Sequence, residues 1–298
     1  MSIAGQRQRM NVLDYLNYAL LIFLSLSVLY PILYLFFLSL SSREAMAGSG
    51  GSVWFWPQGF TLEAYKGFLR QSFIYSGYFY TIFRTVVGTF LSVLLMSFAG
   101  YAISKAIPFQ KSVTLFFVFT MFFTGGLIPT YLVIKSLGLI DNPLVYILAP
   151  PFLYNTFYIL ILRNFFMTIP DSLEESARID GASDTRIFFS LIVPLAAPAI
   201  ATISLWVGVN HWNSWFDSLI YVQNPDLQVI QVHIRKLVIE QSALLMSDAL
   251  SSIDKKNVPS PESMRAAAIL ITMLPILCIY PFIQRFFVKG VVMGAVKG

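Results

Sequence analysis

The chain has 298 residues, of which 57% are hydrophobic and only 12% charged, and its mean hydropathy is +0.70. Soluble domains average about 25% charged residues, so this composition excludes an ordinary soluble globule and points to an integral membrane protein. The formal charge of +5 gives no ground for nucleic-acid binding, and the one cysteine, Cys278, excludes an intrachain disulfide and a cysteine-based metal site.

A crossing helix needs about 20 apolar residues. Charge-free intervals of that order run over Leu16–Leu40, Thr85–Ser104, Ser112–Ile134, Asn142–Leu162, Ile187–Phe216 and Ala266–Gln284. The fifth is long enough that its first part is a lead-in outside the bilayer. The expected fold is therefore all-α, one membrane domain over 1–298 with six transmembrane helices at about 16–40, 85–104, 112–134, 142–162, 195–216 and 266–284. The first span is longer than a signal-peptide core, contains Pro31, lacks a following small-x-small site and should be retained. Lys and Arg tally equally on the two sides. The compact clusters favour an inside N-terminus, which makes 41–77 and 222–264 outer loops.

Beyond the first span, Trp54-Phe-Trp-Pro-Gln-Gly-Phe-Thr-Leu-Glu-Ala-Tyr65 is dense in aromatics, which form an interfacial belt or meet a soluble partner. In the third span, Thr124-Gly-Gly-Leu-Ile-Pro129 should interrupt the helix, and broken backbone at membrane depth should face inward. Pro150-Pro151 marks a kink in the fourth span, followed by the polar candidates Tyr154, Asn155 and Tyr158.

Pro170-Asp-Ser-Leu-Glu-Glu-Ser-Ala-Arg-Ile-Asp-Gly-Ala-Ser183 is a polar island between apolar runs. Ser172 and Glu175 have capping-box spacing, which starts a helix near Leu173. Glu174 and Arg178 stand four apart in the favourable acid-first order, and Gly181 is a natural left-handed C-cap. About two turns result, fewer than the roughly 12–15 residues at which an isolated helix is even marginally stable. This short helix needs something to dock against, and Leu173 with Ala177 offers a narrow face; a solvated helix on the headgroups is the other reading.

The fifth span reads Trp206-Val-Gly-Val-Asn-His-Trp-Asn-Ser-Trp-Phe-Asp217. Trp206, Asn210, Asn213 and Asp217 recur at helical spacing, so they share a face that lines either a helix interface or a pathway. In the outer loop 222–264, His233–Glu240 reads as an amphipathic surface helix and Ser251–Ser260 as an exposed tip. Pro275 and Pro281 mark kinks in the last span, where Cys278 is a packing residue. No P-loop, nucleophile elbow or metal-type His cluster occurs, which leaves a membrane enzyme without a catalytic constellation. No charged side chain is expected at mid-membrane, which argues against intrinsic energy coupling.

The island resembles the cytoplasmic signature of binding-protein-dependent ABC importer permeases: Glu-Ala-Ala, three residues, Gly, nine residues, Ile-x-Leu-Pro. Here Glu175-Ser176-Ala177, Gly181 and Leu191-Ile-Val-Pro194 hold those places, with Ser176, Leu191 and Val193 as conservative departures. The Phe-Thr-Leu-Glu-Ala-Tyr65 segment, Gly125-Gly-Leu-Ile-Pro-Thr-Tyr131, the Asn-x-Trp-Asn-Ser-Trp run of the fifth span, and the Val288-Lys-Gly ending with Gly294-Ala-Val-Lys-Gly298 resemble the carbohydrate branch with the maltose-type second permease, closest to lipoprotein-like permeases that include pectin and alginate oligosaccharide importers. The resemblance implies a short cytoplasmic coupling helix between spans four and five, in the region 170–194. Its Glu174, Glu175, Ala177, Asp180 and Gly181 would engage an ATPase, with Tyr154, Asn155, Trp206, Asn210, Asn213 and Asp217 as candidate pathway residues.

It further implies a homologous second permease, two cytoplasmic ATPase subunits that bind ATP and Mg, and an extracytoplasmic binding protein. The chain itself would hold no cofactor or metal, would bind no nucleic acid, and would sit in the bacterial inner membrane among lipid with both termini cytoplasmic. The implied function is import of carbohydrates, oligosaccharides above all, leaning to uronate types. A self-sufficient channel or secondary carrier is the competing class, and the polar fifth-span face is its best support.

Overall fold

The computed structural model describes residues 12–48, 53–149, 153–239 and 259–295. Their regular secondary structure is helical, apart from one isolated β-bridge between Ser41 and Phe60. The chain divides into two compact units, residues 1–71 with 241–271, and residues 72–240 with 272–298.

In the first unit, α1 (Val12–Ser39) is a 28-residue apolar helix with Pro31 inside it. At its C-terminal end Ser39 Oγ lies 2.7 Å from Tyr65 OH, and just beyond it Ser263 Oγ donates to the Ser41 carbonyl at 3.1 Å. The short helices α2 (Arg43–Gly48) and α3 (Glu63–Leu69) follow. Leu38, Met46, Val53 and Ala266 form a small core there. Trp54, Phe55 and Trp56 are exposed, and Phe55 and Trp56 rest against Tyr30 and Phe37 of α1.

The second unit is built on α4, which runs from Ser72 to Ser104 over 33 residues and includes one π-helical turn, Arg84–Gly88. The sequence placed this span at 85–104 and took Arg84 as a charge at its outer end. The helix instead continues through Ser72–Phe83, because Arg84 is neutralised and buried within it.

The third expected span is a bent pair, α5 (Gln110–Phe122) and α6 (Leu127–Ser136), turned by 110°. Gly126, at a φ of 82°, makes the turn that residues with a Cβ rarely adopt. The break was expected to face inward, yet Phe122, Phe123, Leu127 and Ile128 are all exposed on this chain. Its backbone is therefore not covered by the described residues.

The fourth expected span, 142–162, is not one helix. A single turn, α7 (Val145–Leu148), leads to extended backbone at Ala149, and α8 (Thr156–Phe166) begins after Asn155. Asn155 caps α8 by accepting from the Phe157 N–H at 2.9 Å.

Next come α9 (Asp171–Ile179), α10 (Asp184–Leu195, with a second π turn at Phe188–Ile192) and α11 (Ala197–Asn213), the last two meeting at 83°. The chain continues with α12 (Phe216–Tyr221), a 3-10 turn at Pro225–Leu227, and α13 (Ile230–Ile239). The last helix, α14 (Pro261–Ala295), contains Pro275 and Pro281. Cys278 on it is exposed rather than packed inside the chain.

α4 and α8 approach so closely at Gly100 that a Cβ there would stand 3.1 Å from both the Ile159 carbonyl and Leu162 Cβ. Small residues at such crossings let membrane helices gain van der Waals contact where lipid supplies no hydrophobic drive. Met96, Ile103, Ile159, Leu162, Phe166, Phe188 and Ile203 fill the core around this crossing. A second core joins Ile134, Tyr146, Tyr221, Val229 and Val232. In it α13 is packed rather than lying loose, and Ile230, Val232, His233 and Ile234 are buried. The Ser251–Ser260 tip lies almost wholly outside the described residues.

Three helices among the described residues are long and apolar enough to cross a membrane, or five when each bent pair counts as one span. The chain is thus an all-helical membrane protein.

Candidate functional site

The polar island folds as α9, with a different start from the one its sequence suggested. The helix begins at Asp171 after Pro170, and no side chain caps it; Ser172 and Glu175 do not form the reciprocal box. Proline before the first turn already sets an extended approach, so the helix starts two residues early. The end follows the glycine. Gly181 has a φ of 80°, its N–H donates to the Arg178 carbonyl at 3.0 Å, and the Ala182 N–H donates to the Ala177 carbonyl at 2.9 Å. This is a Schellman closure.

Glu174 does not pair with Arg178. It is buried, 2.6 Å from Lys105 Nζ, and accepts from Tyr101 OH at 3.0 Å. Lys105, just past the end of α4, also reaches Asp171 at 3.1 Å. Arg178 turns instead to Asp184 at 2.9 Å. Ala177 packs inward against the α4–α8 core.

The five residues singled out from the sequence therefore divide. Glu174 and Ala177 fasten α9 to its own domain, whereas Glu175, Asp180 and Gly181 are exposed. Lys105 was missed as an anchor, although its place at the end of a span beside an acidic island was the available signal.

A second polar site opens where α11 ends. Ser92, Met96, Tyr154, Asn155, Tyr158, Val207, Asn210, His211 and Ser214 line a small, partly open pocket. Asn210 Nδ2 is 3.5 Å from Tyr158 OH, and the Tyr158 ring lies 5.8 Å from Trp206. Of the sequence candidates, Tyr154, Asn155, Tyr158 and Asn210 line the pocket, and Trp206 stands behind it against Tyr158. Ser92, Met96, His211 and Ser214 were missed; Ser92 and Met96, one helical turn apart on α4, gave the only periodic hint.

Asn213 and Asp217 depart from the shared face expected of them. α11 stops at Asn213, Ser214 is extended, and Asp217 starts a new helix, so the helical spacing is broken before it. Asn213 is exposed and does not line the pocket. Asp217 is buried, with Oδ2 2.7 Å from Arg84 Nη2. Arg84 Nη1 also donates to the Ser214 carbonyl at 3.2 Å, and its guanidinium sits 5.1 Å from the centre of the Tyr146 ring. Arg84 and Asp217 are thus buried among the helices as an opposed pair.

These features define an all-helical membrane component with a tethered surface helix and a polar pocket. The chain belongs to the family of binding-protein-dependent transport system inner membrane components, which matches residues 74–293. Membership makes it the membrane component of an ABC transporter, not its ATPase. It is 38% identical to the polygalacturonan/rhamnogalacturonan transport system permease protein YtcP of Bacillus subtilis, over 96% of this chain and 98% of that one. It is 36% identical to protein LplC of the same organism, over 90% and 89%. Among solved structures, it is similar to a chain of a bacterial ABC transporter involved in import of the acidic polysaccharide alginate, at 32% identity and a TM-score of 0.86, covering 94% of this chain and 99% of that one.

Proposed function

We propose that this chain forms half of the membrane pathway of an ATP-driven importer of oligosaccharides, with uronate-type fragments as cargo. The observation that carries the reading is the likeness, over nearly the whole chain, both to a permease named for polygalacturonan and rhamnogalacturonan and to a chain of an alginate importer. The pocket supports it with amides, hydroxyls and aromatic rings, the groups that meet sugar hydroxyls and ring faces. None of its lining residues is Lys or Arg, so the carboxylates of a uronate would be met by the partner permease or the binding protein.

On this reading six spans cross the membrane, the fourth comprising the broken stretch before Thr156 together with α8, and both termini are cytoplasmic. The exposed residues Glu175, Asp180 and Gly181 of the coupling helix meet an ATPase subunit, while Glu174 and Ala177 pass the motion into α4 and its core. Two such ATPases supply the ATP and Mg chemistry. A homologous second permease covers the exposed third-span break, and an extracytoplasmic binding protein delivers the sugar. Tyr154, Asn155 and Asn210, backed by Trp206, line the route, and Asp217 acts only through Arg84.

The test is reconstitution of the chain with its partner subunits in vesicles, with trigalacturonate as probe. Gly181→Pro demands a φ near −65° where the chain holds 80°. The variant should remain in the membrane while ATP hydrolysis no longer drives uptake. Unchanged binding-protein-stimulated hydrolysis with normal uptake would overturn the coupling role. Uptake by the purified chain alone, without nucleotide, would favour the self-sufficient carrier.

A further inference from the structure

We propose that the π-helical turn Arg84–Gly88 is the positioning element of the pocket, fixing where Ser214 and His211 stand. The proposal rests on the reading that the pocket lines the solute's route. A π turn widens the helix locally and re-aims the residues that follow it. Here two residues of one turn contact the end of the fifth span differently: Gly88 lies against His211 near the end of α11, and Arg84 reaches Ser214 and Asp217 just beyond it.

Arg84 bridges the break in the fifth span. One arm of its guanidinium donates to the carbonyl of Ser214, the first residue beyond α11, and the other meets Asp217, three residues further on. Arginine can hold both because its donors form a rigid fork; a lysine ammonium offers only a point charge on a flexible stem. Gly88 lies against the His211 ring, and a Cβ there would stand 2.9 Å from Cε1 and 3.0 Å from Nε2. His211 is itself buried, so the ring has little room to retreat.

His211 and Ser214 are both lining residues of the pocket. A purely structural ion pair would account for Arg84 beside Asp217. It would account neither for the bond to Ser214 nor for a glycine under His211. The turn therefore acts on the solute through these two residues and does not touch it.

The test uses the assembled importer in nanodiscs, with Cys278→Ala and Ser214→Cys as background. The rate at which a small polar thiol reagent modifies position 214 reports the pocket's geometry. The trigalacturonate concentration that halves this rate reports solute binding, and maximal binding-protein-stimulated ATP hydrolysis reports the rest of the machine. Arg84→Lys keeps the charge opposite Asp217 but loses the fork. Gly88→Ala keeps Arg84 and displaces His211.

Each variant should change the modification rate at least threefold and raise the protecting concentration about tenfold, the scale of one hydrogen bond. Maximal hydrolysis per assembled complex should stay within about twofold. The charge exchange Arg84→Asp with Asp217→Arg should assemble yet keep the weakened protection, since it restores the pair without the bond to Ser214. Unchanged rates and protection in the assembled variants would overturn the proposal. So would losses that merely follow the amount of complex assembled. If trigalacturonate protects nothing in the unmutated pocket, the route or cargo reading fails, and the modification rates alone then decide the positioning role.

Discussion

Two ionic clusters, a pair at Arg84 and a lysine shared between two carboxylates at Lys105, anchor different parts of this chain, and they differ in the water around them. Arg84 and Asp217 meet with side chains 0% and 5% exposed, whereas Lys105, at 25%, holds Asp171 at 81% and Glu174 at 6%. A dry pair cannot open without leaving a bare charge in a low dielectric, so it holds one geometry or none. The Asp171 contact, at the surface, exchanges its partner for water at small cost. The same chemistry thus sets a fixed frame beside the pocket and a compliant tether at α9.

The comparison breaks most visibly at the dry end. Arg84→Met removes the cation and leaves Asp217 buried, which should destabilise the chain by about 3–5 kcal/mol. Denaturant unfolding in detergent measures this. The double replacement Arg84→Met with Asp217→Leu should recover most of the loss, because no charge is then left alone. Equal instability of the single and double variants would show that packing, not charge, holds this frame.

How much of this was legible follows from where each signal resides. The membrane class, the short helix closed by Gly181 and the break at Gly125–Gly126 could be read directly, since composition, a glycine C-cap and paired glycines are local properties. Arg84 was misplaced because a charge next to an apolar run looks like a span end until its partner is known, and Asp217 lies 133 positions away. The shared face of Asn210, Asn213 and Asp217 failed for a related reason: Ser214 ends the helix, and no proline or glycine marks the place. Glu174 shows the limit of local pairing rules. Its Arg178 neighbour is worth a few tenths of a kcal/mol on an isolated helix, and a buried site offering Lys105 and Tyr101 together wins.

His233 sharpens the contrast by pH. Stacked on Phe73 at 4.6 Å and packed near Lys236, it is held down from 6.5 to about 4, chiefly by burial and then by that lysine; the Pro225 carbonyl and Asp226 pull weakly the other way. Its folded value lies below the unfolded one, so the protein has this contribution in full above pH 6.5 and loses it as pH falls toward 4. At about 1.4 kcal/mol per unit, the loss reaches about 3 kcal/mol. His233→Gln should flatten the stability profile across that window; an unchanged slope would assign the acid sensitivity elsewhere.

The wet tether responds less. Lys105→Met leaves Glu174 facing Tyr101 alone and should cost about 1–2 kcal/mol. The effect should be confined to hydrogen exchange in Asp171–Gly181, with the pocket unaffected. Raising salt toward 1 M should weaken the unmutated tether at its exposed Asp171 contact, whereas the Arg84–Asp217 pair should not respond.

The smallest effect belongs to Arg178 and Asp184, 56% and 76% exposed and 2.9 Å apart. Breaking an exposed pair typically costs less than about 1 kcal/mol, yet Asp184 also sits in the first turn of α10, where a carboxylate favours the helix dipole. The two contributions separate by substitution. Arg178→Gln removes only the pair and should shift stability by about 0.3 kcal/mol, whereas Asp184→Asn removes the pair and the dipole contact and should shift it by about twice that. If Arg178→Gln proves the costlier, this bridge is part of the tether, and the compliant end of the molecule reaches past Gly181 into α10.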